Sequence, residues 1–203
     1  ASKPTALVTV PKNKLPDTLA AEAKKILTKN SPRSIAILVN RVATARAVSA
    51  KLPGSILVIG RMRSFDRDAI AKSLSAELKT GVDNTAYRQS PLVVVSTQCL
   101  EVGADLDFDA LVTECASLDA LRQRFGRLNR AGRPIAVYGV IVFEETTKED
   151  DPIYGAALIQ TWRWLNTCAT GSEGAKSVDF GIHALDEMLQ SRPADESVYA
   201  HTP

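Results

Sequence analysis

The chain has 203 residues, of which 45% are hydrophobic and 24% are charged, so it is long enough for one to one and a half ordinary globular domains. The formal net charge of +2 excludes a chain that is basic throughout, and any affinity for an anionic partner must come from local clusters. Three scattered cysteines exclude a zinc motif or a disulfide framework and favour a cytoplasmic location, and no apolar run is long enough for a membrane partner.

Strands and helices alternate along the first 147 residues. We predict strands at residues 6–10, 34–39, 55–60, 92–95, 110–113 and 135–143 from their short apolar runs. We predict helices at residues 15–28, 43–51 and 66–78 and a further helix that starts at residue 118. An asparagine, Asn40, stands where the N-cap of the second helix is expected. This order predicts an α/β fold with a parallel sheet covered by helices on both faces.

A charged break at residues 148–152 separates this unit from the rest of the chain. Residues 153–167 and 182–190 are predicted to form two helices, and residues 192–203 a polar tail without a closing element. We therefore divide the chain into a lobe, residues 1–147, and a helical extension with a linker towards a following domain, residues 148–203.

The segment from residue 119 to residue 133 has the strongest chemical signal. It carries five arginines within twelve residues, Arg122, Arg124, Arg127, Arg130 and Arg133. On a helix, Gln123 shares one face with the arginines at 127 and 130, which follow it by four and seven residues. A guanidinium group can donate two hydrogen bonds to the oxygens of one phosphate, in a bidentate contact. This face therefore predicts a site for a polyphosphate, a nucleic-acid backbone or an acidic partner.

The simplest alternative is a surface helix with solvated arginines. No carboxylate occurs between Asp119 and Glu144, so salt bridges one turn apart cannot account for the charge. Gly126 lies within the pattern, where it costs about 1 kcal/mol relative to alanine, and it indicates a close backbone approach or a helix end. The core-facing side is predicted at Leu118, Leu121, Phe125 and Leu128.

The predicted strand at 92–95 leads into Ser96, Thr97 and Gln98, and three alternating aspartates follow at Asp105, Asp107 and Asp109. Parallel α/β sheets bind ligands just beyond the carboxyl ends of their strands, so we expect ligand residues here. Turn chemistry or a weak cation site is the alternative for the aspartates. The glycine and glutamate of a calcium loop are not in place, and we predict no metal site.

Together these segments resemble motifs V and VI of superfamily 2 helicases. The run Gln123-x-x-Gly126-Arg127-x-x-Arg130 matches the QxxGRxxR pattern of motif VI, and Ser96–Gln98 with residues 101–105 matches motif V. The finer pattern of residues 101–109 and 124–130 is similar to the helicase–nuclease of type I CRISPR interference. Upstream, Asn40 after its strand and the basic loop with Arg61 and Arg63 resemble motifs IV and IVa.

The resemblance implies the C-terminal RecA-like lobe of a two-lobe helicase, with a short helical C-terminal extension. The sequence contains no GxxxxGK(S/T) loop and no acidic pair after a strand, both of which hold nucleotide for hydrolysis. ATP and Mg²⁺ would therefore be held mainly by a first lobe, present in the same protein or in a partner. Alone, the chain is expected to be inactive.

The resemblance also assigns roles to matched positions. Arg127 and Arg130 would be arginine fingers, and Gln123 would contact the γ-phosphate or the attacking water. Gly103 would allow close backbone approach to the nucleotide, and Asp105 would accept a hydrogen bond from the ribose. The residues expected to contact nucleic acid are Asn40, Arg41, Arg61, Arg63, Thr97 and Gln98.

The function implied is that of an ATP-dependent translocase on single-stranded DNA in CRISPR interference, with a CRISPR RNA-guided surveillance complex as a partner. Two alternatives stay open at this point. One is a RecA-like module that binds nucleic acid and has lost catalysis, and the other is the motor lobe of an RNA helicase or a protein-remodelling enzyme. Motifs V and VI mainly handle phosphates, which carry little information about bases.

Overall fold

The computed structural model describes residues 1–60, 70, 72–74, 76, 78, 90–100, 105–172 and 174–200. In this part of the chain the strands are β1 (Pro4–Val10), β2 (Ser34–Leu38), β3 (Ile56–Val58), β4 (Leu92–Ser96), β5 (Ala110–Glu114), β6 (Tyr138–Glu144) and β7 (Ser177–Asp179). The helices are α1 (Leu15–Asn30), α2 (Val42–Lys51), α3 (Leu118–Phe125), α4 (Ala157–Cys168) and α5 (Ile182–Ser191). Short 3₁₀ turns lie at Gln98–Leu100 and Glu196–Val198.

The strands form a single sheet in the order β3-β4-β2-β5-β6-β1-β7. The pairs from β3 to β1 are parallel, whereas β7 runs antiparallel to β1. The predicted parallel α/β sheet is therefore confirmed. The short antiparallel β7 was not predicted, because three residues at the edge of a sheet carry too little pattern.

Both faces of the sheet are covered, as the continuous apolar strands predicted. All five residues of β2 are buried, and they alternate between two hydrophobic clusters. Ala36 and Leu38 face a cluster that includes residues of α3, α4 and α5, whereas Ile35 and Ile37 face a cluster with α1 and α2. The sheet thus separates two helical layers.

The residues after 147 pack against this same sheet. The ring of Trp162 on α4 stacks on Phe143 of β6 with centroids 4.9 Å apart. The tail was predicted to be polar and to lack a closing element, but part of it packs against this unit. Val198 is buried, and its carbonyl accepts a hydrogen bond from Thr161 Oγ1 at 3.0 Å. The division of the chain at residue 147 stays a prediction.

The second half of the basic segment differs from the prediction. α3 ends at Phe125, whose carbonyl accepts a hydrogen bond from Lys3 Nζ at 2.7 Å, so the helix does not reach Arg127 or Arg130. The common helical face proposed for these arginines is wrong. The alternative that Gly126 marks a helix end is right, since Gly126 is the C-cap.

The predicted helix at 66–78 lies largely outside the described residues, although Ile70, residues 72–74, Ala76 and Leu78 are helical. Asn40 does not cap α2, because the N-cap is Arg41 and no side chain bonds the helix end. Within the described residues, the helices are too short or too polar to cross a membrane.

Candidate functional site

The predicted site residues lie at two opposite edges of the sheet. Asn40 and Thr97 follow the last residues of β2 and β4, at the carboxyl edge. Asp107 and Asp109 come just before Ala110, the first residue of β5, and therefore lie at the amino edge. The expectation that the aspartates lie beyond a carboxyl end is wrong, because the chain crosses the whole sheet between residues 97 and 109.

At the amino edge, two aspartates hold the loop that follows α3. Arg133 donates from Nε to Asp107 Oδ2 at 2.9 Å and from Nη2 to Asp109 Oδ1 at 2.7 Å. The other oxygen of Asp107 accepts from the backbone N–H of Arg130 at 2.7 Å. The side chains of Asp107 and Asp109 are only 3% and 9% exposed. Their hydrogen bonds to Arg133 are therefore shielded from much of the water, and they are charge-assisted because both partners are ionised. Asp107 and Asp109 therefore have a structural role.

Backbone contacts close the same loop against the entry to β5. Phe108 donates its N–H to the carbonyl of Arg127 at 2.9 Å, and Asn129 donates to the carbonyl of Phe108 at 2.8 Å. Asn129 has a φ of 42°, in the left-handed region that asparagine tolerates better than most residues. Within the described residues, no group of three His, Cys, Asp or Glu side chains is arranged to hold a metal ion.

Arg127, Arg130 and Asp105 come together on the outside of this loop. Arg130 Nε lies 3.4 Å from Asp105 Oδ1, and both side chains are about half exposed, at 45% and 49%. Burial lowers the pKa of Arg127, the positive charge of Arg130 lowers it further, and Asp105 opposes both. Gln123 is exposed in the last turn of α3. Gly103 lies outside the described residues.

This arrangement suits an anion. The positive charge of Arg130 lies close enough to Arg127 to lower its pKa, and an approaching phosphate would relieve this repulsion. Both arginines lie on a loop that is held by the hydrogen bonds of Asp107 to the backbone N–H of Arg130 and to the side chain of Arg133. The site therefore presents positive charge from a backbone that is already held in place.

At the carboxyl edge, Asn40 is part of a buried hydrogen-bond network. Its side-chain Nδ2 donates to the carbonyl of Cys115 at 2.8 Å, and its Oδ1 accepts from Arg124 Nη2 at 3.0 Å. Its backbone N–H donates to Glu114 Oε2 at 2.8 Å. Asn40 is 5% exposed, so its side chain is committed within the protein. Its predicted contact with nucleic acid stays a prediction.

Arg124 is the centre of this network, and the sequence analysis missed this role. Although Arg124 lies in the basic segment, it is fully buried. Its Nη1 donates to Thr113 Oγ1 at 2.8 Å and to the carbonyl of Glu114 at 3.0 Å. Burial raises the pKa of Glu114, while the N–H of Asn40 and the guanidinium of Arg124 oppose that rise. The only signal in the sequence was that Arg124 directly precedes the core residue Phe125 and follows Leu121 by three positions.

The remaining predicted contacts line the same edge. Gln98 Nε2 donates to Tyr154 Oη at 2.8 Å, and Arg41 Nη2 forms an ion pair with Asp151 Oδ2 at 2.7 Å. Thr97 is buried, with its hydroxyl 3.2 Å from the sulfur of Cys99. Arg61 and Arg63 lie outside the described residues.

An open pocket of about 590 Å³ lies beside these contacts. Its wall includes Arg41, Lys12 and Lys148 together with Glu114 and Asp151. Because both signs of charge face it, the pocket has no clear preference for an anion.

Known proteins resemble this chain in sequence and in fold. A family model described as CRISPR-associated nuclease/helicase Cas3, C-terminal, matches residues 31–133, just over half of the chain. The chain is 26% identical over 149 residues to a CRISPR-associated nuclease/helicase Cas3 of Methanothermobacter thermautotrophicus, an alignment that covers 68% of this chain and 16% of the relative. It is 28% identical over 164 residues to a CRISPR-associated helicase Cas3 of Thermoproteus tenax, covering 79% of this chain and 26% of the relative. The chain thus spans about a quarter or less of the length of these relatives.

Solved structures share the fold. T. fusca Cas3 with ATP matches 98% of this chain and 24% of its own chain, with a TM-score of 0.73 and 21% identity. A chain of a CRISPR RNA-guided surveillance complex in a pre-nicking state matches 97% of this chain and 26% of its own, with a TM-score of 0.67 and 23% identity. The matched range 31–133 contains both edges of the site, from Asn40 to Arg133, and the chain therefore belongs to the family of C-terminal domains of the CRISPR-associated nuclease/helicase Cas3.

Proposed function

We propose that this chain is the second motor lobe of an ATP-dependent translocase that moves along single-stranded DNA during CRISPR interference. In this proposal it supplies arginine fingers and contacts to the DNA backbone, and it is inactive without a first RecA-like lobe in the same protein or in a partner. The family assignment supports the helicase setting. The amino edge of the sheet supports the role in hydrolysis.

The observation that carries the proposal is the placement of Arg127 and Arg130 beside Asp105. The two arginines lie on a fixed loop, and Arg130 is open to a ligand from solvent, since its pair with Asp105 at 3.4 Å is about half exposed. Fingers of this kind stabilise charge on the equatorial oxygens of a transferred phosphate and can contribute on the order of 10³ to 10⁵ in rate. A preorganised loop avoids the cost of ordering them during the reaction.

ATP and Mg²⁺ fit this lobe only in part. Arg127 and Arg130 would hold the γ-phosphate, Asp105 would accept from the ribose hydroxyl, and Gln123 would orient the attacking water. Gly103 would allow the backbone to approach the nucleotide. When bound with ATP, Mg²⁺ neutralises phosphate charge.

Mg²⁺ would be held mainly by the first lobe. At the amino edge of this lobe, the carboxylates of Asp107 and Asp109 are already bonded to Arg133. They are therefore poorly placed to serve as ligands for the cation.

The carboxyl edge would follow the DNA backbone. Arg41 and Gln98 present exposed polar side chains at the ends of β2 and β4, and Thr97 stands between β4 and Gln98. Contacts of this type position a strand without reading its bases. We propose the same role for Arg61 and Arg63. Asn40 would act through its backbone and by holding Arg124, because its side chain is bonded inside the protein.

The family supports the proposed setting. A CRISPR RNA-guided surveillance complex would deliver the DNA strand, in the cytoplasm, and a structure of such a complex contains a chain with this fold. Closure of two lobes on ATP and reopening after hydrolysis would move the lobe along the strand, with the amino edge responding to nucleotide and the carboxyl edge gripping DNA.

The test is the DNA-stimulated ATPase activity of the full-length protein with Arg130→Ala, with ATP binding measured alongside. We expect the rate to fall by about a hundredfold or more while ATP binding changes little, because the finger acts mainly in the transition state. Arg122→Ala is the matched control, since Arg122 is an exposed arginine on α3 of the same segment.

An unchanged rate in Arg130→Ala would overturn the motor role. If DNA binding were then intact, the chain would be a module that binds nucleic acid without catalysis. Replacement of the DNA oligonucleotide by RNA of the same sequence separates a DNA motor from an RNA motor.

A further inference from the structure

A turn beyond the matched family range holds two of the residues that we assign to the nucleic-acid edge. Asp151 pairs with Arg41 at 2.7 Å, and Tyr154 Oη accepts from Gln98 Nε2 at 2.8 Å. Both turn residues lie outside residues 31–133, which the family model matches. Arg41 and Gln98 follow different strands, β2 and β4, so one turn connects two separate parts of this edge.

The turn has a defined shape. Asp151 Oδ1 accepts from the backbone N–H of Ile153 and from that of Tyr154, each at 3.0 Å. The Asp151 side chain is 6% exposed and Tyr154 is 8% exposed. The aromatic ring is therefore fixed both by its backbone and by its surroundings, and its hydroxyl is held at one point.

The Tyr154 hydroxyl accepts two hydrogen bonds from separate elements. Besides Gln98, it accepts from Nη2 of Arg124 at 3.1 Å. Arg124 is fully buried on α3, one residue before the helix ends, and the loop with Arg127 and Arg130 begins there. A single oxygen thus joins Gln98 at the carboxyl edge to the helix that leads into the proposed arginine fingers.

We infer that Tyr154 is a positioning residue that holds the amide of Gln98 in the orientation that grips DNA and ties it to α3. This inference rests on the proposed function, because it assigns Gln98 to a DNA contact. The physical reason is that an exposed glutamine samples several rotamers unless a fixed partner selects one. Arg124 keeps the hydroxyl in place by donating to it from a buried position.

The experiment uses the full-length protein with Tyr154→Phe, which removes the hydroxyl and keeps the ring. We expect the Kd for a single-stranded oligo-dT to rise by about tenfold. The DNA concentration for half-maximal ATPase stimulation should rise by a similar factor. The KM for ATP and the rate without DNA should stay within about twofold of the unaltered protein. Tyr138→Phe removes the same group from β6 and serves as the matched control.

A double-mutant cycle distinguishes positioning from a general loss of structure. If Tyr154 acts through Gln98, then Gln98→Ala with Tyr154→Phe weakens DNA binding no further than Gln98→Ala alone, so the two effects are not additive. All variants are compared well below their melting temperatures, where nearly all of each protein is folded, so that partial unfolding does not raise the apparent Kd. Additive effects, or a Kd within twofold in Tyr154→Phe, would overturn the inference. If the unaltered protein itself neither binds oligo-dT nor shows stimulation, the proposed function fails and this inference fails with it.

Discussion

Arg133 and Asp107 form a shielded ion pair, with Arg133 Nε 2.9 Å from Asp107 Oδ2 and the aspartate side chain only 3% exposed. The second oxygen of Asp107 accepts from the backbone N–H of Arg130 at 2.7 Å. One carboxylate thus fixes both ends of the loop between residues 130 and 133. Arg130 and Arg133 therefore have different tasks. Arg130 completes the motif pattern and faces outward, whereas Arg133 holds the loop.

Removal of Arg133 should destabilise the fold. In Arg133→Ala, Asp107 keeps its negative charge in a nearly buried place without its ion pair to Arg133, and Asp109 keeps only Arg33, whose guanidinium lies 3.6 Å away. Breaking such a pair from one side costs about 3–5 kcal/mol in unfolding free energy. Chemical denaturation of the chain measures this, with exposed Arg122→Ala expected within about 0.5 kcal/mol of the unaltered protein. A cost for Arg133→Ala below about 1 kcal/mol would show that the pair contributes little.

Asp105 should affect nucleotide choice much more than stability. Its ion pair with Arg130 is about half exposed, and exposed pairs contribute about 0–1 kcal/mol. We therefore expect Asp105→Asn in the full-length protein to melt like the unaltered protein. If Asp105 accepts from the ribose, the preference for ATP over its 2′- and 3′-deoxy analogues should shrink in the variant. An unaltered ratio of kcat/KM values for both analogues would contradict the ribose contact.

Arg124→Lys should be costly even though the charge is kept. The guanidinium donates to Thr113, Asn40 and Tyr154 from one planar group, and a lysine ammonium cannot reach all of these acceptors. Because the site is fully buried, each acceptor without a donor costs about 1–3 kcal/mol. We expect a loss of at least about 2 kcal/mol by denaturation. Arg122→Lys, two positions earlier and exposed, should be neutral; equal costs for the two would refute the buried network.

Asp179 gives a stability effect that depends on pH. Burial would raise the pKa of this carboxyl, but hydrogen bonds from Ser2, from the N–H of Lys3 and from that of Gly181 outweigh it, and the pKa lies below its ordinary value of 3.8. The charged form therefore stabilises the folded state above pH 3.8, and this contribution is lost as the pH falls through the lower folded value. Asp179→Asn should cost about 1–3 kcal/mol at pH 7, and the difference should shrink at pH 3. A difference that is independent of pH would contradict this.

The regular part of the fold was predictable because its signals are local. The apolar runs of β2, β4 and β5 specify buried strands, and alternation with helices specifies a parallel sheet. The motif around Gln123 and Arg130 identified the family, since its spacing is rarely met by chance. The family match over residues 31–133 confirms that identification.

The arrangement of the site was less predictable because it depends on contacts between distant residues. The end of α3 is held in part by Lys3, whose Nζ donates to the carbonyl of Phe125 from 122 positions away in the sequence. The burial of Arg124 depends on Asn40 and Tyr154, neither of which is near it in the chain. Likewise, no local pattern reveals that Asp107 and Asp109 lie at the amino edge, because only the crossing of the sheet between β4 and β5 places them there.

Gly139 of β6 shows the same dependence on distant contacts, and it provides a test. A Cβ at this position would lie 2.4 Å from Thr5 Oγ1 on β1 and 2.9 Å from the ring of Phe125 at the end of α3. Both neighbours are in the core, where packing leaves little room for adjustment. Gly139→Ala is therefore expected to lower the unfolding free energy by about 1–3 kcal/mol. It should also shift the end of α3 and the loop that carries Arg127 and Arg130.

The stability effect is measured by denaturation, and the shift by ATPase activity of the full-length protein. Gly60→Ala is the control, because its nearest neighbour, Cys99 Sγ, lies at an ordinary contact distance of 3.4 Å. We expect Gly60→Ala to fall within about 0.5 kcal/mol of the unaltered protein. If Gly139→Ala were as stable as that control, α3 would have moved away from β6 at no cost in unfolding free energy. The close packing of Phe125 on Gly139 would then not be what holds the loop that carries Arg127 and Arg130.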